Sequence, residues 1–276
     1  MFSQQICRNG RRIGQMAWGQ TQRSSLNASQ RRCYAETAQG SRSGVGRGLG
    51  LVLYGLTFGG IGAAATWYNM MGKRLNGISD AETLRQFVPT DDETRRIEET
   101  INNLPMVKEL RSRPGFKELR PHLKMAPEIQ RQSLTAGSLR GHGKLVVPPY
   151  VWIEEGGKSL VCVGYVGDAV CGYPGKVHGG FLATMLDEGL ARCCFGAVPH
   201  NVAVTARLEI DYRKPAQAGN FFVMRAKTTK VEGRKAWVEG HIETLPATGG
   251  TPVVLAEAKA LFVSPKWAAL LPKVLE

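Results

Sequence analysis

Two glycines follow a histidine at His178-Gly179-Gly180, and seven residues past Gly180 a carboxylate, Asp187, interrupts an otherwise apolar run. From Phe181 to about Cys194 the only other polar side chains are Thr184, Glu188 and Arg192, spaced as one stripe of a helix, with Glu188 placed to pair with Arg192 one turn on. A helix that is apolar almost all round is buried, and a buried charge is costly unless it is paired or used. Asp187 lies close to two turns after Gly180 and so shares a face with the helix start. The first amides of a helix are unpaired and lie at the positive end of its dipole, and glycine lets a ligand approach the main chain. An oxygen that develops negative charge could rest there. A carboxylate on the same face, its pKa raised by burial, could activate water or attack a carbonyl. Donors plus a carboxylate point to acyl transfer or hydrolysis. The same residues also admit a structural role: a tight loop at Gly179-Gly180, a capping or core His178, and Asp187 paired with a basic residue on another strand. Spacing alone leaves both open.

The elements around this helix are strands. Val151–Ile153 and Ser159–Val166 precede it, joined by a Glu-Glu-Gly-Gly turn. After it, Asn201–Arg213 alternates, with Val202, Val204, Ala206, Leu208, Ile210 and Tyr212 on one face and Ala203, Thr205, Arg207, Glu209, Asp211 and Arg213 on the other, as in a half-buried strand. Phe221–Lys230, Lys235–Thr244 and Pro252–Val263 complete the series. One helix among six strands predicts an α+β fold, a curved antiparallel sheet of five to six strands wrapped around a long central helix.

Upstream, residues 1–47 hold eight Arg, no Lys and one acid, Glu36, so more than half of the net charge of +13 lies there. That composition, with no apolar signal core, predicts a mitochondrial targeting segment over 1–44. Residues 48–72 contain no charged side chain, end with Trp67 and Tyr68, and space Gly55 and Gly59 four apart. These features predict one transmembrane helix over 45–72, in the inner membrane. The flanking charges do not decide which side the rest of the chain faces. Residues 73–145 read as a helical connecting region, in which Thr90-Asp91-Asp92-Glu93 opens a three-turn helix ending near Asn102. Pro105, Pro114, Pro121 and Pro127 limit the next stretch to short helices. The main domain spans 146–265, with a tail over 266–276. Basic residues outside the N-terminus are scattered without interleaved aromatics, which argues against nucleic acid. Six cysteines, Cys193 and Cys194 adjacent among them, form no legible disulfide or metal framework and read as reduced, mostly buried thiols.

The stretch from Val177 to Glu188 resembles the signature of hotdog-fold acyl-CoA thioesterases of the PaaI-like and mitochondrial branches. Thr205–Pro215 and Val231–Trp237 resemble the same families' strands and hairpin, and Cys171–His178 is similar to a loop of fungal, membrane-anchored members. The resemblance covers roughly 145–265. It implies a hotdog fold, a homodimer or homotetramer with sites at subunit interfaces, an acyl-CoA substrate and no cofactor or metal. It implies that Asp187 is general base or nucleophile, that the Gly179 amide, alone or with Gly180, polarises the thioester carbonyl, and that His178 orients the turn or contacts the carbonyl. Thr205 resembles the residue that positions water from the facing subunit, its strand face differing from the apolar one. Arg213 and Lys214 would meet CoA phosphates, and Glu188 is the rival carboxylate. Gly172 stands where some members carry an Asn at the carbonyl site. The leading expectation is a membrane-anchored mitochondrial acyl-CoA thioesterase. The alternatives are a non-catalytic hotdog module that binds acyl groups or a protein partner, and a hotdog hydratase or dehydratase.

Overall fold

The computed structural model describes residues 52–66, 78–246 and 250–271. The targeting segment expected over 1–44 lies outside them. Of the span expected over 45–72, residues 52–66 form a helix with every side chain exposed. Among the described residues no helix is long and apolar enough to cross a membrane.

From residue 78 the chain opens with short helices that begin as their sequences dictate. Ser79 caps α1 (Asp80–Gln86) in a reciprocal box with Glu82, and the Asp91 carboxylate accepts the Thr94 amide at 2.8 Å to start α2 (Asp92–Asn103). Proline occupies the first turn of α3 (Pro105–Ser112), α4 (Pro121–Lys124) and α5 (Pro127–Gln132), where its missing N–H costs nothing. A π-type turn comes next, over Leu134–Ser138.

Strands and one long helix complete the domain. They are β1 (Phe116–Leu119), β2 (Tyr150–Glu154), β3 (Ser159–Val166), β4 (Cys171–Tyr173), β5 (Lys176–Val177), α6 (Gly179–Cys194), β6 (Val204–Tyr212), β7 (Asn220–Glu232), β8 (Lys235–Thr244) and β9 (Val254–Val263). Seven of the strands form one antiparallel sheet in the order β1-β2-β3-β7-β8-β9-β6, and β4-β5 is a separate small hairpin leading into α6. The α+β fold with one central helix is as expected. The sheet has seven strands rather than five or six because β1, from the region read as connecting helices, adds an edge.

Helix α6 lies on the inner face, burying Leu182, Met185, Leu186 and Leu190 against Cys162, Met224, Val238, Ile242 and Phe262. A second core lies on the outer face, where Ile97 and Ile101 of α2 and Val107 and Leu110 of α3 cover Trp152, Val161, Val163, Tyr165 and Val223. Strand β3 is therefore buried on both sides. This accounts for its unbroken apolar run, since a strand with one wet face alternates. The segment 78–145 is a packed layer of the domain. The four described cysteines are free thiols. Burial is the main cause that pushes Cys162 and Cys194 up to about 12 and Cys193 to about 11, which keeps them protonated and unreactive.

Candidate active site

The turn into α6 is held from both sides. The Val177 amide donates to the Ala216 carbonyl at 3.0 Å and the His178 amide to the Val170 carbonyl at 2.8 Å. His178 is the N-cap, in extended backbone, and its Nδ1 accepts the Gly180 amide at 2.9 Å. The neutral ring then carries its proton on Nε2, which is left as a donor. Space for the ring is made by glycine. A Cβ on Gly172 would fall 2.8 Å from His178 Cδ2, and one on Gly180 would fall 2.9 Å from Nδ1. The Asn that some members of the resembled families carry at the position of Gly172 has no room beside this ring.

One expected donor is thus already used. The Gly180 amide serves the histidine cap, and of the glycine pair only the Gly179 N–H has no acceptor among the described residues. The Gly179 carbonyl, by contrast, accepts the Tyr212 hydroxyl at 2.9 Å, and the Tyr212 ring lies 3.3 Å from where a Gly179 Cβ would stand. Alternation places Tyr212 on an apolar strand face and gives it no part in the site. Its residue type carries no signal for one.

Asp187 is half-buried rather than enclosed, and its Oδ1 accepts the Thr205 hydroxyl at 2.8 Å within the same chain. The expected alternation put Thr205 on the face away from the helix. A bulge overturns this. Thr205 pairs with Phe262 and Arg207 with Leu261, so Ala206 is an extra residue in β6, and the register shift brings Thr205 to the side of Leu208 and Ile210. The bulge therefore aims Thr205 at Asp187, while Tyr212, at the far end of the same strand, reaches Gly179. The strand is also more open than a half-buried one, with Val204 46% and Tyr212 54% exposed.

Asp187 and the free amide do not meet in one chain. They are eight residues apart on α6, about 12 Å of rise. A base and an oxyanion donor must each come within about 3 Å of the reacting atoms. Sharing a helix face is not enough at that separation.

Glu188 belongs to a different structure. Its Oε1 lies 3.1 Å from His122 Nε2 on α4 and 3.2 Å from Arg192 Nη2. Burial alone would raise its pKa. The hydrogen bond and charge of His122, with Arg192 and Thr135, outweigh that and pull the carboxyl down to about 2. The rival carboxylate is thus a tie between α6 and the N-terminal layer, made with a histidine 66 residues away in sequence. Because its folded pKa lies below the ordinary 4.5, this tie contributes stability above about pH 4.5 and loses it as pH falls toward about 2. In urea melts over that range, Glu188→Gln is expected to flatten the acid limb and to cost on the order of 3 kcal/mol near pH 5. An acid limb identical to the wild type would sink the assignment.

Arg213, expected at a phosphate, is already engaged, by Glu257 at 2.9 Å and Asp211 at 3.3 Å. Lys214 beside it is exposed, with no side-chain partner among the described residues.

The chain matches the Thioesterase superfamily over residues 174–260, from the approach to α6 into β9. It is 32% identical over 170 residues to an uncharacterized mitochondrial protein of Candida albicans (strain WO-1), an alignment covering 61% of this chain and 76% of that one. Against the acyl-coenzyme A thioesterase THEM4 of Rattus norvegicus it is 34% identical over 106 residues, covering 38% of this chain and 43% of the relative. A solved phenylacetic acid degradation-related protein of Ralstonia eutropha JMP134 is 26% identical and aligns over 40% of this chain and 77% of its own, with a TM-score of 0.34. The family match spans strand β6, which carries both Thr205 and Tyr212, as well as the helix they face. With one long helix against a seven-stranded antiparallel sheet and a relative matched over three quarters of its length, the chain belongs to the hotdog thioesterase superfamily.

Proposed function

We propose that the protein hydrolyses acyl-CoA thioesters at a site completed by a second copy of the chain. The observation that carries this reading is the Asp187 carboxylate held by Thr205 on a bulged edge strand. Thr205 occupies Oδ1 and leaves Oδ2 to take a proton from water. The water oxygen attacks the carbonyl carbon, charge develops on the carbonyl oxygen, and the carbon–sulfur bond breaks. CoA leaves as thiolate and is then protonated, and the acyl group leaves as the free acid. The Gly179 N–H at the positive end of α6, with His178 Nε2–H, supplies the donors for the carbonyl oxygen.

Two features support a composite site. The free amide and Asp187 are too far apart within one chain. Among the described residues strand β6 pairs only with β9, leaving its other edge a row of open backbone groups beside exposed Val204 and Tyr212. A long open edge calls for a partner strand, and a two-fold copy of β6 would bring one chain's helix start toward the other's Asp187. Lys214, two residues beyond Tyr212, is the cation placed for a CoA phosphate. The mitochondrial setting is supported by the Arg-rich residues 1–47 and by the mitochondrial name of the Candida relative, and membrane anchoring by the uncharged residues 48–72.

Release of CoA from acyl-CoAs of graded chain length, measured chromatographically with the full chain, tests the activity. Hydrolysis of at least one chain length is expected. Binding without turnover across the panel would instead favour the non-catalytic module.

A further inference from the structure

We propose that Tyr212 is a positioning residue that fixes the Gly179 peptide at the start of α6, and that the rate of thioester cleavage depends on its hydroxyl; this rests on the hydrolase reading above. The opening carbonyls of a helix normally take one hydrogen bond, from the amide four residues on. Here the Gly179 carbonyl also takes the Tyr212 hydroxyl at 2.9 Å. That second bond restrains the Gly179–Gly180 peptide on its outer side. The ring adds a steric wall, since the space a Gly179 Cβ would fill is closed by three Tyr212 atoms at 3.3–3.4 Å. On the other side His178 Nδ1 holds the Gly180 amide at 2.9 Å. Both contacts thus clamp the one peptide that joins Gly179 to Gly180, the most pliable backbone in the site, and the unpaired Gly179 N–H, on the preceding peptide, is restrained through the shared Gly179 Cα. An oxyanion donor works through its fixed aim, because it costs no reorganisation when charge develops. Tyr212 comes from the same strand as Thr205, so one bulged strand aligns both the carboxylate and the amide turn of its own chain.

The test is Tyr212→Phe in the full chain, which keeps the ring and removes the hydroxyl. On the best acyl-CoA of the panel, kcat is expected to fall about tenfold, the rate equivalent of one neutral hydrogen bond, with KM and melting temperature unchanged. Tyr212→Ala, which also removes the wall, is expected to fall further, with the Phe variant restoring part of the loss. A second readout does not need turnover. In ¹⁵N spectra of the two proteins, the Gly179 and Gly180 amide resonances are expected to shift in Tyr212→Phe, with faster hydrogen exchange over the first turn of α6. A wild-type kcat in Tyr212→Phe, or a loss in KM alone, would overturn the proposal. If wild type cleaves no thioester, the hydrolase reading fails by itself, and unchanged Gly179 and Gly180 amides in Tyr212→Phe would then overturn the clamp as well.

Discussion

Asp187→Asn is expected to lower kcat/KM for acyl-CoA by about a thousandfold, in the range of a lost general base. Stability should hardly change, because Asp187 is half-buried and Thr205 can still donate to an amide oxygen. Thr205→Val, which frees the carboxylate to rotate, should lose less, on the order of tenfold. The stronger test is whether the site is shared between chains. His178 has ψ 134°, the extended geometry that a following proline requires, and Gly179 is the first helical residue, where proline is tolerated. Gly179→Pro therefore deletes the proposed oxyanion N–H with little cost to the helix beyond a small shift of the Tyr212 ring, 3.3 Å from the new Cβ. Alone, Asp187→Asn and Gly179→Pro should each be nearly inactive. Co-expressed, they should form mixed dimers with one intact site of two, restoring about a quarter of wild-type activity if pairing is random. Recovery is expected only if carboxylate and amide come from different chains. No recovery, with each variant still dimeric by light scattering, would place the site within one chain.

Much of this site was legible in residue types and spacing. The helix start, its histidine cap and the carboxylate two turns on derive from a glycine pair before an apolar run, and the strands either side derive from alternation. The features that escaped sequence reading have a physical cause in each case. A bulge inserts one residue without changing any residue type, so Ala206 looked like another step of the alternation while it reversed the face of Thr205. The Gly180 amide looked free because local spacing does not say whether a capping side chain will turn back upon it. Glu188 read only as part of a polar stripe paired with Arg192 because its other partner, His122, arrives from a distant part of the chain. The layer over 78–145 looked like a connector because its helices are short and punctuated by proline. Its amphipathic positions, Ile97, Ile101, Val107 and Leu110, acquire meaning only against the outer face of β2 and β3.

That layer is where the largest loss of stability is expected, at Arg120→Met. Arg120 is fully buried. Its guanidinium meets Glu98 at 2.5 Å and the Pro148 carbonyl at 2.6 and 3.0 Å, and lies over the rings of Phe87 and Tyr150 at 4.7 and 4.2 Å. The Tyr150 hydroxyl donates to the other Glu98 oxygen at 2.6 Å, and the Arg120 amide donates to the Thr83 hydroxyl at 3.0 Å. One residue thus joins α1, α2 and the approach to β2. Removing its charge leaves Glu98 buried without its cation, a change that costs about 3–5 kcal/mol, or on the order of 10 °C in melting temperature for a domain of this size. The double variant Arg120→Met with Glu98→Leu should regain most of that loss, because an apolar pair needs no partner charge. Hydrogen exchange should locate the damage in α1–α3 and β1 before it reaches α6, since the partners that hold Arg120, namely Thr83, Phe87, Glu98, Pro148 and Tyr150, lie in the N-terminal layer and the approach to β2. Opening this layer would also uncover the outer faces of β3 and β7, Val161, Val163, Tyr165 and Val223, a contiguous apolar surface prone to association. If Arg120→Met melts with the wild type, the apolar contacts of Ile97 and Ile101 hold the layer alone, and the buried charge cluster serves to fix its register rather than its stability.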